Sequence, residues 1–146
     1  MALVSFAEAT WSGDLENGSG MITYLSSGAV TRLPVTWAAR TVAHEGKTSP
    51  EELLAAAHAS CFSMAFSARL GRNGTPAQHM DVRSDVTFDK GDAGWKVTRS
   101  HITVRVKAEG LDEAKLTELA EDAKDNCPIS QAIKGNVELS VDAALA

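Results

Sequence analysis

The segment SPEELLAAAHASCFSMAFSARL, residues 49–70, restricts the possible folds of this chain more than any other. Its start carries helix-initiating chemistry. Ser49 suits an N-cap, Pro50 the first helical position, and Glu51 and Glu52 the positive end of the helix dipole. The spacing Ser49-x-x-Glu52 also fits a capping box. GRNGTP ends the pattern near residues 69–72. Between these signals apolar residues occupy nearly every face, and such a helix must be covered on every face. One small sheet covers only one side of it. A second copy of the chain is therefore expected to cover the rest, which makes a homodimer.

The remaining segments read as an α+β arrangement in the order β-β-β-α-β-β-α-α-β. VSFAEATW alternates, GMITYL follows a GSG turn, and AVTRLPVTWAAR is a third β-rich run in which Pro34 marks an edge or bulge. After the long helix, MDVRSDVTFDK and GWKVTRSHITVRVKAEG form a hairpin turned by DKGDAG. Residues 111–124 place Leu111, Ala114, Leu116, Leu119 and Ala120 at helical spacing. CPISQAIK then opens a short helix stopped by Gly135, and NVELSVDAAL closes the chain as a strand. With 146 residues and no repeat or linker, the chain reads as one domain, residues 1–146.

A net charge of -5 argues against a nucleic-acid partner, which needs clustered Lys and Arg. The N-terminus has no positive, then apolar, signal pattern. The uncharged run 53–68 is interrupted by His58, Ser60, Ser63 and Ser67 and falls short of a membrane span. A cytoplasmic protein with no membrane partner is the expectation. In that compartment two cysteines do not form a permanent structural disulfide, so Cys61 and Cys127 each need a reason.

Cys127, in DNCPIS, falls at the N-cap or first turn of the short helix, where unpaired N–H groups lower a thiol's pKa. The alternative is a small residue filling a turn. Cys61, inside an apolar helix, reads either as a small hydrophobe whose pKa burial raises or as a nucleophile that needs a cation. Arg40 and His58 are the cations near it in sequence. His58 lies three residues before Cys61 on one helix face, so a Cys–His nucleophile and base can be written, as can a core histidine bonded to its surroundings. His58, Cys61, Cys127 and His44 would make a metal set, but no paired ligand spacing supports one. Phe62, Met64 and Phe66 read as core.

SPEELLAAAHASCFSMAFS together with CPISQAI, their cysteines 66 residues apart, resembles the OsmC/Ohr family, the osmotically inducible protein C and organic hydroperoxide resistance proteins, on the OsmC side. The resemblance runs along essentially the whole chain. It implies a thiol peroxidase acting on organic hydroperoxides and hydrogen peroxide in oxidative and osmotic stress. Cys61 matches the peroxidatic cysteine, Cys127 the resolving cysteine, Arg40 the active-site arginine, and Glu51 the carboxylate that pairs with it. It further implies antiparallel sheets wrapped around long central helices in an intertwined homodimer. No cofactor or metal is implied. An external thiol, a dihydrolipoyl protein or a small dithiol, regenerates the cysteines. The competing reading is a non-catalytic relative of the same fold that binds a small apolar ligand or serves a structural role under stress.

Overall fold

Strand alternation and helix caps divide the chain into ten elements in the computed structural model, which describes residues 2–146. They are β1 (Ala7–Ser12), β2 (Ser19–Leu25), β3 (Leu33–Val35), α1 (Trp37–Thr41), α2 (Pro50–Arg72), β4 (Ala77–Gly91), β5 (Gly94–Ala108), α3 (Glu113–Asn126), α4 (Pro128–Ile133) and β6 (Glu138–Leu145). They fall into two compact units, Met1–Leu53 and Leu54–Ala146. Helix α2 begins in the first and continues in the second.

In the first unit β1, β2 and β3 form an antiparallel sheet in that order. Gly20 sits where a Cβ would come within 2.7 Å of the Thr10 carbonyl oxygen and 2.8 Å of the Trp11 ring, so only glycine fits that crossing. Pro34 lies on edge strand β3, where its missing N–H does no harm. The β-rich run 29–40 is not one strand. Only Leu33–Val35 pairs, and Trp37 begins helix α1 because the Thr36 hydroxyl accepts the Ala39 N–H at 3.2 Å. The chain then returns to β3, where the Thr48 N–H donates to the Pro34 carbonyl at 2.9 Å.

Ser49 caps α2 as its sequence indicates, accepting the Glu52 N–H at 3.1 Å. The reciprocal half of the capping box is absent. The Glu52 carboxylate instead accepts the Thr48 hydroxyl at 2.6 Å, which fastens the last loop residues to the first turn.

In the second unit β4 and β5 form a long antiparallel hairpin with a two-residue connection, and Gly94 takes the positive φ (105°) that closes it. β6 adds to β5 in parallel, a departure from purely antiparallel sheets. The cause is connectivity: α3 and α4 form a crossover that returns the chain to the start of β5. Asp112 caps α3 through the Lys115 N–H at 2.8 Å. Leu111 before that cap and Leu116 in the helix are both buried, at the positions of a hydrophobic staple.

The core lies in this unit. Phe62, Phe66 and Leu70 on one edge of α2 meet Ile102, Val104 and Val106 from the inner face of β5 and Leu116, Leu119, Ala120 and Ala123 from α3. The opposite edge of α2 stays open in the single chain: Ala56, Ser60, Met64, Ser67 and Ala68 are exposed. Met64, 68% exposed, is not a core residue, because the helical spacing turns it away from Phe62 and Phe66. Counted over all 23 residues, α2 is long and apolar enough to cross a membrane, which residues 53–68 alone are not. Its Phe62–Phe66–Leu70 edge is nonetheless buried against sheet and helix, as in a core helix.

Phe66→Ala leaves a cavity on this edge and is expected to cost about 3–5 kcal/mol in urea unfolding. Ser49→Ala removes a cap and should cost about 1 kcal/mol, with Ser49→Asp restoring most of it.

Candidate active site

One residue both ends α3 and begins α4. The Cys127 N–H donates to the Ala123 carbonyl at 2.9 Å, and its own carbonyl accepts the Gln131 N–H at 2.9 Å. Pro128 fixes the first position of α4. The expected N-cap position is therefore occupied, but the thiol makes no capping bond; it is fully buried and turned to Cys61. Cys127 lies beside Cys61, close enough to push its thiol's pKa up, and neither cysteine is in a disulfide. The Ile129 N–H, from the first turn of α4, faces the Cys61 sulfur closely enough to favour its thiolate. Burial pushes the Cys61 thiol above its ordinary pKa, and the adjoining Cys127 adds to that, while the Ile129 N–H works against it. Cys61 itself is only partly buried, whereas Cys127 is fully buried.

His58 lies one turn before Cys61 and is fully buried. Nδ1 is 2.7 Å from Ser100 Oγ on β5, and Nε2 is 2.8 Å from Ser130 Oγ on α4. Ser100 Oγ is also 3.1 Å from Ser84 Oγ on β4. Burial lowers the imidazole's pKa and keeps it neutral. With both ring nitrogens bonded to serines, His58 is not the base of a Cys–His pair. The reading of His58 and Cys61 as a nucleophile and base fails on that geometry.

Helix α1 places Trp37 and Arg40 three residues apart on one face, with the guanidinium carbon 5.5 Å from the Trp37 ring centroid. Glu51, on the first turn of α2, accepts from Arg40 twice: Nε to Oε2 at 3.1 Å and Nη2 to Oε1 at 2.6 Å. This two-point pairing fixes the plane of the guanidinium as well as its position. Arg40 also lines a cavity of about 400 Å³ with Trp11, Leu15, Val35, Trp37 and Pro50. The lining is apolar apart from the cation and Thr36.

The four residues singled out by sequence thus form two pairs, Arg40 with Glu51 in the first unit and Cys61 with Cys127 in the second. Among the described residues, no three His, Cys, Asp or Glu side chains are grouped to hold a metal ion. Sequence reasoning missed the two serines that hold His58. A signal existed: strand alternation puts Ser100 on the same face as Ile102, Val104 and Val106, and a hydroxyl in that row needs a buried partner. The Trp37–Arg40 stacking was hidden by reading α1 as strand.

Residues 43–142 match the sequence pattern of the OsmC-like protein family. Peroxiredoxin OsmC of Escherichia coli K12 is 36% identical over 139 residues, covering 95% of this chain and 96% of that one. The organic hydroperoxide resistance protein OhrA of Bacillus subtilis is 32% identical over 102 residues, 68% of this chain and 70% of its own. The crystal structure of OhrB of B. subtilis superposes with a TM-score of 0.74 at 26% identity, covering 95% of this chain and 98% of that one. On these grounds the chain belongs to the OsmC-like protein family.

Proposed function

We propose that the protein is a thiol-dependent peroxidase that reduces organic hydroperoxides and hydrogen peroxide in oxidative and osmotic stress, in the cytoplasm. The observation that carries this reading is the contact between two free thiols, Cys61 partly exposed and Cys127 buried behind it. Two cysteines 66 residues apart need not meet for packing alone. The names of the relatives, a peroxiredoxin and organic hydroperoxide resistance proteins, support the same chemistry.

In this reaction the Cys61 thiolate attacks the distal oxygen of the hydroperoxide. The O–O bond breaks, the alcohol leaves with a proton, and Cys61 becomes a sulfenic acid. The Cys127 thiolate attacks that sulfur and expels water, giving a disulfide. An external dithiol, small or carried as a dihydrolipoyl group on a protein, reduces the disulfide and returns both thiols. The raised pKa of Cys61 makes a cation necessary at neutral pH. Arg40 is assigned that role, with Glu51 holding its fork in one orientation. The apolar cavity beside Arg40 is assigned to the organic part of the peroxide. A homodimer in which a second α2 covers the Met64 edge completes the reading. The cavity alone would equally suit a non-catalytic binder of small apolar ligands; the two adjoining thiols favour the peroxidase.

Adding stoichiometric cumene hydroperoxide to reduced protein is expected to remove both thiols and yield a Cys61–Cys127 disulfide by mass spectrometry; survival of both thiols sinks the peroxidase reading. Cys61→Ser should abolish peroxide consumption, whereas Cys127→Ser should complete one turnover and then accumulate sulfinic acid at Cys61. Glu51→Gln should slow peroxide consumption about 10- to 100-fold through loss of arginine positioning. In Arg40→Met the rate at pH 7 should fall and then recover as pH rises past the ordinary thiol range near 8.5, because the uncompensated thiol ionises only there.

A further inference from the structure

Helices α2 and α4 are joined by two parallel bridges. Cys61 on α2 meets Cys127, and His58, three residues earlier on α2, meets Ser130, three residues later on the α4 side. The order is reversed between the helices, so the two contacts lie about one turn apart along a shared seam. α4 has only six residues, far too few for a helix to hold its shape unaided. It is bounded by Cys127 and, just past its end, by Gly135 with φ of 84°. Ser130 is the buried residue within it, 1% exposed, and its hydroxyl is 2.8 Å from the imidazole. The far side of that imidazole is fixed to Ser100, which is fully buried on β5.

We propose that His58 is a positioning residue for the Cys127 side of the reaction: its bond to Ser130 holds α4 against α2, so that the Cys127 thiol and the Ile129 N–H stay at the Cys61 sulfur. A bond one residue from Ile129 and three from Cys127 controls both groups, because they occupy the same turn. The neutral ring suits this role. It donates from one nitrogen and accepts at the other, and each serine hydroxyl can complete either partnership. The charge of His58 is not used, and peroxide attack at Cys61 does not need it. What depends on it is how often Cys127 is in reach when Cys61 becomes oxidised.

This deepens the peroxidase reading, yet it can be tested without peroxide. The Cys61–Cys127 pair is equilibrated with glutathione: oxidised glutathione accepts two electrons from the dithiol, giving the protein disulfide and two reduced glutathiones. The equilibrium constant reports the effective concentration of one thiol at the other. Ser130→Ala is expected to lower that constant about tenfold, equivalent to about 30 mV. Ser130→Thr, which retains a hydroxyl, should restore it. Ser100→Ala removes the other, equally buried partner of His58 without touching α4; at a matched loss of Tm it should leave the constant within twofold. A wild-type constant in Ser130→Ala, or an equal shift in Ser100→Ala, overturns the proposal. Should Ser130→Ala not fold, His58→Asn breaks the same bond from the α2 side and is held to the same criteria. A parallel cumene hydroperoxide reaction separates the two ideas. Unreactive wild-type thiols would refute the peroxidase reading, while the glutathione equilibrium would still judge the role of His58.

Discussion

A buried imidazole carries two nitrogens, and leaving either without a partner costs on the order of 1–3 kcal/mol. In this protein that requirement falls on the middle of an otherwise apolar helix. It is met from two directions, by Ser100 on the sheet and Ser130 on the short helix. Three elements that hydrophobic contact alone would allow to slide are thereby fixed in register. The neighbouring core of Phe62, Phe66, Ile102 and Leu116 supplies most of the cohesion but is non-directional. The hydrogen bonds decide which turn of α4 faces which turn of α2.

The cysteine pair lives with opposed demands. Close approach of two sulfurs in a dry setting favours a rapid exchange between them but penalises the thiolate that starts it. The Ile129 N–H relieves part of that penalty at the sulfur, and partial exposure relieves more. Cys127, fully buried and committed at both backbone atoms to the junction of α3 and α4, is well shielded from outside oxidants. A partly open sulfur with a hidden one behind it is the asymmetry expected of a pair that divides attack and resolution.

Much of this was legible beforehand, for identifiable reasons. The cap at Ser49, the proline start of α4 and the alternation of β4 and β5 are local signals, and each lies where its residues indicate. The pairing of Arg40 with Glu51 and of Cys61 with Cys127 was reachable only through family resemblance, since no local rule connects residues that far apart. What escaped had a physical cause in each case. Trp37–Thr41 contains residues common in strands, and a single side-chain cap at Thr36 outweighed them. Glu52 had two possible acceptor roles, and Thr48 won because the chain is anchored there to Pro34. Met64 looked like core because composition does not say which way a helix is turned. The partners of His58 were hidden in two serines, the residue type most easily passed over.

The parallel pairing of β6 with β5 also bears on how the chain is made. Strand β5 acquires its second neighbour only when β6 has been synthesised. Cys61 leaves the ribosome 66 residues ahead of Cys127. At roughly 5–20 residues per second it waits between about 3 and 13 s for its partner to be added. Throughout that interval the sulfur lies in an unfinished fold with no thiol to answer it. Translation under oxidant stress is thus a window of exposure for the residue on which activity is proposed to depend, and it closes only once Cys127 has been added.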